Sequence, residues 1–94
     1  SNFIELLHKL YMVNNMKQFS KEYYLVFSSA TSAQRLSKLL SAEGIKSNMV
    51  HTPKAVSDGG CGYSLIIPER HLYKSVRLAE EYGIKIRKTA EKKD

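Results

Sequence analysis

The sequence has one cysteine, two prolines and no tryptophan among its 94 residues. A single cysteine cannot form a disulfide within the chain or a cysteine-based metal site by itself, which agrees with a reducing compartment. No apolar run approaches the roughly 20 residues that a membrane helix requires, and the N-terminus lacks the features of a secretory signal. We therefore expect a cytoplasmic protein without a membrane segment.

Acidic residues are also scarce, because nine Asp and Glu face fifteen Lys and Arg and leave a formal charge of +6. This balance favours anionic partners without identifying them. Five of the basic residues lie in the last ten positions, and we interpret residues 91–94 as a solvated basic tail.

The composition, 43% apolar and 26% charged, is that of one globular domain. A chain this short buries only about 60 to 65% of its unfolded surface, so self-association is a common way of adding stability. We expect a homo-oligomer.

An internal repeat at an offset of 39 residues organises the chain: residues 24–27 resemble 63–66, and Gly-Ile-Lys at 44–46 recurs at 83–85. Each half predicts a strand-helix-strand unit. In the first half we expect strands at 23–27 and 45–50, joined by a helix that Thr31 and Gln34 begin as a capping box and Gly44 ends.

In the second half, strands are expected at 63–67 and 84–87. Pro68 suits the first helical position, and Gly83 suits the helix end. The side chains of Leu72, Val76 and Ala79 should form the buried stripe of this second helix.

Two such halves are too short to fold separately, yet each helix has an apolar face that must cover a sheet. Interleaving them predicts an α+β fold, a ferredoxin-like βαββαβ sandwich with strand order 4-1-3-2 and both helices on one sheet face. We assign this domain to residues 21–90. Residues 1–20 are expected to be an amphipathic helix and a linker, and the helix should dock on the sheet or a partner chain through Phe3, Leu6, Leu7, Leu10 and Val13.

The long connection at 51–60 ends in a glycine-rich run that carries Cys61. Long loops on rigid scaffolds often carry function, although the glycines could merely turn the chain and Cys61 could be a small buried residue. The 4-1-3-2 order places the start of the third strand beside the end of the first, where the first helix begins. Its N-terminus would favour an anion and lower the pKa of Cys61 below about 8.5, so that Cys61 could act as a nucleophile or sulfur acceptor. The expected anion-binding residues around it are Ser28, Ser29, Thr31, Gly60 and Gly62.

Metal and nucleotide sites fit less well. His51, Cys61 and His71 match no zinc spacing, and the glycine run lacks the lysine and hydroxyl residue of a phosphate-binding loop. No metal or cofactor is therefore predicted.

Nucleic-acid binding is a third hypothesis and is disfavoured, because the aromatic RNA-binding motif of this fold is absent. It would use tyrosines stacked on the open sheet face and a basic stripe on the second helix. The candidates are Tyr23, Tyr24, Tyr63, Arg70, Lys74 and Arg77.

Four segments carry a family resemblance: Tyr-Tyr-Leu-Val-Phe at 23–27, Glu-Gly-Ile at 43–45, Thr-Pro-Lys at 52–54 and Cys-Gly at 61–62. Over residues 22–88 the chain resembles the small bacterial selenium/sulfur carrier-like domains. The resemblance implies that Cys61 carries sulfur or selenium as a persulfide or selenosulfide, between donor and acceptor proteins. A carrier is thus expected rather than a turnover enzyme. The alternative is a regulatory or assembly module that dimerises and binds a small anion without covalent chemistry.

Overall fold

The fold is described by a computed structural model over residues 3–7, 21–57 and 62–93. Its elements are β1 (Glu22–Phe27), α1 (Ala30–Ala42), β2 (Asn48–His51), β3 (Tyr63–Pro68), a 3-10 turn (Glu69–His71), α2 (Leu72–Glu81) and β4 (Lys88–Lys92). The four strands form one antiparallel sheet in the order β2-β3-β1-β4. The chain is therefore α+β, and the sheet has the predicted strand order.

The two faces of the sheet differ because side chains alternate along each strand. On one face, Leu25 and Phe27 of β1 and Leu65 and Ile67 of β3 are buried in the core with residues of both helices. The opposite face, here called the open face, carries the alternate residues of the same strands. The open-face residues used below are Tyr24, Val26, Ser64 and Lys88.

Both helices pack on the core face, as predicted. The buried side of α1 consists of Ala33, Leu36 and Leu40, which repeat at helical spacing. In α2 the buried residues are Ser75 and Ala79, whereas the predicted Leu72 and Val76 are half-buried beside the core. A serine is tolerated there because its hydroxyl donates to the carbonyl oxygen of His71 at 2.7 Å.

The start of α1 differs from the predicted capping box. Ser29 is the N-cap, and its Oγ accepts a hydrogen bond from the N–H of Ser32 at 3.2 Å. Thr31 lies inside the first helical turn and is exposed, so the prediction that it begins the helix is wrong. The N-cap therefore lies two positions earlier than predicted, where the backbone is still extended, with φ of −136° and ψ of 152° at Ser29.

Both helices end in the same way, as the repeat predicts. The N–H of Gly44 donates to Ser41 O at 3.0 Å, and the N–H of Ile45 donates to Leu40 O at 2.9 Å. At an offset of 39 residues, Gly83 and Ile84 make the same pair of bonds, to Glu80 O and Ala79 O. Gly44 and Gly83 adopt φ values of +78° and +66°, which glycine tolerates best.

The strands that follow these helix ends begin later than predicted. Residues 45–47 precede β2, and residues 84–87 precede β4. The reason is that Ile45 and Ile84 fold back under the helix ends and are buried there. Consequently β4 extends to Lys92, so the predicted basic tail at 91–94 begins inside a strand.

Pro68 closes β3 and precedes the 3-10 turn, instead of occupying the first helical position of α2. Its φ of −63° and ψ of 147° are extended, so Pro68 is the last residue of the strand and the 3-10 turn begins at the next residue.

The N-terminal residues 3–7 are helical, in agreement with the predicted amphipathic helix. Their apolar side chains are exposed, with Phe3 at 72% and Leu6 at 55% of their full accessible surface. Docking of this segment on the sheet of its own chain is therefore wrong for these residues, and docking on a partner chain stays a prediction. The other predicted helix residues, Leu10 and Val13, lie outside the described residues.

Candidate functional site

The predicted site residues fall into two groups. Cys61 and Gly60 lie outside the described residues, whereas Ser28, Ser29, Thr31 and Gly62 lie inside them. The β1–β3 register pairs Phe27 with Tyr63. Gly62, which precedes β3, therefore lies at the end of the sheet where β1 leads into α1. The backbone therefore brings the position after Cys61 to the predicted end of β1.

A side chain at Gly62 would be in tight contact with its neighbours. A Cβ added there would lie 3.0 Å from the carbonyl oxygen of Phe27 and 3.4 Å from Thr52 Oγ1. Because the nearest atom belongs to the backbone of the neighbouring strand, rotation of a side chain could not relieve the contact. Close approach of two strands thus explains the glycine of the Cys-Gly pair.

Thr52 joins the two ends of the connection between β2 and β3. Its N–H donates to Gly62 O at 3.0 Å, and its Oγ1 lies 2.8 Å from Ser64 Oγ. The Ser64 side chain is fully buried, so Thr52 supplies the partner that this hydroxyl needs. Sequence reasoning placed Thr52 in the Thr-Pro segment of the family resemblance but did not include it among the site residues.

The Thr52–Ser64 pair predicts unequal costs for its two deletions. Thr52→Val leaves the buried Ser64 hydroxyl without this partner and should cost about 1–3 kcal/mol of unfolding free energy. Ser64→Ala removes the partner of Thr52, a residue that is only partly buried, and should cost about 1 kcal/mol. Urea unfolding of both variants measures the difference. Equal costs, or a larger cost for Ser64→Ala, would contradict the pairing.

The start of α1 presents further polar groups at this end of the sheet. The Ser29 cap satisfies the N–H of Ser32, whereas the N–H groups of Ala30 and Thr31 have no acceptor within the helix. Ser28, Ser29 and Thr31 are all exposed. Unpaired N–H groups and the helix dipole favour negative charge at such a helix end.

The segment 52–57, which leads toward Cys61, is fixed by a turn and by a lysine of the far edge strand. The N–H groups of Val56 and Ser57 both donate to Pro53 O, at 3.0 and 2.9 Å. Lys88 of β4 donates from Nζ to Val56 O at 2.8 Å. Sequence reasoning missed Lys88, because it grouped that lysine with the basic residues near the C-terminus.

The histidine at the end of β2 contacts an aromatic ring. The His51 ring lies beside that of Tyr63, with centroids 4.9 Å apart and planes tilted by 37°. Among the described residues, no group of three His, Cys, Asp or Glu side chains could hold a metal ion. A membrane-spanning helix is likewise absent from this part of the chain.

The tyrosines proposed for nucleic-acid stacking do not share a sheet face. Tyr24 lies on the open face and is 6% exposed, whereas Tyr23 and Tyr63 alternate to the core side. The Tyr23 hydroxyl donates to Glu69 at 3.3 Å, and desolvation together with that carboxylate raises the pKa of Tyr23. A flat stacking surface made of these three rings is therefore wrong.

The basic stripe on α2 is partly engaged in local contacts. Lys74 Nζ lies 2.8 Å from a carboxylate oxygen of Glu43. Arg77 donates to the Tyr73 hydroxyl at 3.1 Å, and its guanidinium stands 5.8 Å from the centre of that ring. These contacts tie α2 to the end of α1 and to its own first turn.

Comparison with known protein families gives a match over residues 22–91, to a family described as "Putative Se/S carrier protein-like". The chain belongs to this family. A search of curated proteins and a search of solved structures each found no match. The Se/S carrier-like region begins at the first residue of β1 and ends inside β4, so it contains the whole sheet except its last residue, both helices and the Cys61–Gly62 pair.

Proposed function

We propose that this protein carries sulfur or selenium as a persulfide or selenosulfide on Cys61. The observation that carries the proposal is the family match, which includes Cys61 and the strands β1 and β3 on either side of the end of the sheet where Gly62 lies. We further propose that the α+β sheet is a ferredoxin-like βαββαβ sandwich, since its element order and strand order are those of that fold.

The chemistry needs no cofactor or external oxidant. The Cys61 thiolate attacks the outer sulfur of a persulfide, R–S–SH, on a donor protein. A new S–S bond forms on Cys61, the donor S–S bond breaks, and its electron pair leaves with the donor as a thiolate. Transfer to an acceptor thiolate repeats the same exchange, and a selenosulfide donor delivers selenium in the same way.

The described residues around Gly62 support this role by their positions. A thiolate or persulfide anion at the end of the sheet where α1 begins would lie near unpaired N–H groups and the positive end of the helix dipole. Gly62 permits the close approach of β3 to β1 and Thr52 there. Ser28, Ser29, Thr31 and Gly60 complete the proposed anion site.

We propose a cytoplasmic protein that works as a homo-oligomer with donor and acceptor proteins. The surface offered to a partner chain consists of the exposed apolar side chains of Phe3, Ile4, Leu6 and Leu7.

A labelled-sulfur experiment tests the carrier function. The protein is incubated with a cysteine desulfurase and cysteine that contains radioactive sulfur, and then separated from both under non-reducing conditions. We expect about one labelled sulfur per chain, released by excess thiol because a persulfide exchanges with thiols. A protein that remains unlabelled would favour the anion-binding regulatory module instead.

A further inference from the structure

Lys88 connects the two edges of the sheet. It lies on β4, at one edge, whereas Val56 follows β2, which forms the other edge. The bond from Lys88 Nζ to Val56 O, at 2.8 Å, therefore draws the 52–57 segment across the open face. Val56 lies five positions after His51, in the turn that begins at Pro53.

Burial beneath this path agrees with such a crossing. Val26 of β1 pairs with Lys88 on one side and Ser64 on the other, so the three residues form a row across the open face. Val26 is 5% exposed and Ser64 is fully buried, although neither faces the helices. The same row reaches Gly62, because a Cβ at Gly62 would lie 4.0 Å from Val26 Cγ1.

The chemistry of lysine suits the contact. The aliphatic stem of a lysine can cover apolar surface while its ammonium finds an acceptor at the tip. Lys88 is half-buried, and a buried ammonium without a hydrogen bond would be unfavourable. The Val56 carbonyl supplies the acceptor, so the lysine and the segment fix each other.

We propose that Lys88 is a positioning residue for the segment that leads to Cys61. Thr52 holds the base of the connection next to Gly62, and Lys88 holds its middle against β4. This inference rests on the proposed function of Cys61.

Hydrogen exchange measured by mass spectrometry on the full chain tests the positioning. The Lys88→Met variant keeps the stem and removes the ammonium. We expect exchange at residues 52–57 to rise about tenfold, the loss that one charged hydrogen bond corresponds to, with unchanged exchange in α1. Lys88→Arg should restore slow exchange. Lys92→Met, on the same strand and face four residues further along, is the matched control and should leave the segment unchanged.

The pH profile of Cys61 alkylation separates positioning from mere stability. In the Lys88→Met protein the midpoint should move up toward that of a free thiol, and Lys88→Arg should return it to the wild-type value. Unchanged exchange at 52–57, or faster exchange with an unmoved midpoint, would overturn the role of Lys88. Wild-type protein that takes up no sulfur would refute the carrier function, whereas the exchange and alkylation results would still decide the role of Lys88.

Discussion

Gly62→Ala should lower the free energy of unfolding by about 1–3 kcal/mol, the usual cost of forcing extra volume into a packed site. The added Cβ would stand 3.0 Å from Phe27 O, so β3 must move away from β1. The same movement strains the hydrogen bond that the Thr52 N–H donates to Gly62 O, which is 3.0 Å long. Urea denaturation measures the loss of stability, and the alkylation rate of Cys61 in native protein reports the shift of the strand.

Gly44→Ala is the matched control for this substitution. Its Cβ meets nothing within 4 Å, and its cost arises from the φ of +78°, about 1 kcal/mol. We therefore expect Gly44→Ala to reduce stability without changing the alkylation rate, whereas Gly62→Ala changes both. An alkylation rate that is the same in Gly62→Ala and wild type would separate Gly62 from the chemistry of Cys61.

Cys61→Ser should abolish sulfur loading, with a loss of more than about 100-fold. A serine hydroxyl is hardly ionised near neutral pH and forms no stable bond to the transferred sulfur. A cysteine thiol, in contrast, ionises to a thiolate that forms this bond. The substitution changes one atom, so the melting temperature should change little. Labelled-sulfur uptake from a desulfurase measures the effect.

The control for Cys61→Ser is Ser41→Ala, which alters an exposed hydroxyl near the opposite end of α1. This variant should retain the loading, because Ser41 lies outside the proposed anion site. Loading that survives in Cys61→Ser would place the acceptor elsewhere, or show that the label is bound without a covalent bond.

Much of the fold was predictable from the sequence, because the same devices occur twice. The Gly-Ile pairs at 44–45 and 83–84 end both helices with identical hydrogen bonds, and this symmetry leads to two interleaved halves and the observed strand order. The continuous run of large apolar and aromatic residues from Tyr24 to Phe27 is typical of a strand that is covered on both faces, and all four residues are buried.

The errors have local causes. Ile45 and Ile84 look like strand residues, but they complete helix ends, and the following strands therefore begin three or more residues later. Thr31 and Gln34 have capping-box spacing, yet Ser29 is the hydroxyl residue that caps α1. Spacing alone does not decide between neighbouring hydroxyl residues; the cap is the residue whose backbone is still extended, which is Ser29.

The candidate site was predictable only in part. Strand order and register bring Gly62 to the end of β1, as reasoned from topology. Thr52 and Lys88 owe their roles to contacts over 12 and 32 residues of sequence, which no local pattern reveals. Lys88 in particular lies in a run of basic residues that has the composition of a solvated tail.

Peptide mapping by tandem mass spectrometry tests the central claim most directly. The protein is loaded with a cysteine desulfurase and cysteine, its free thiols and persulfides are alkylated, and it is digested without reductant. We predict that the peptide containing Cys61 carries one additional sulfur atom between the Cys61 sulfur and the alkyl group. A Cys61 peptide that is alkylated directly on the thiol, without additional sulfur, after loading by an active desulfurase would contradict the account.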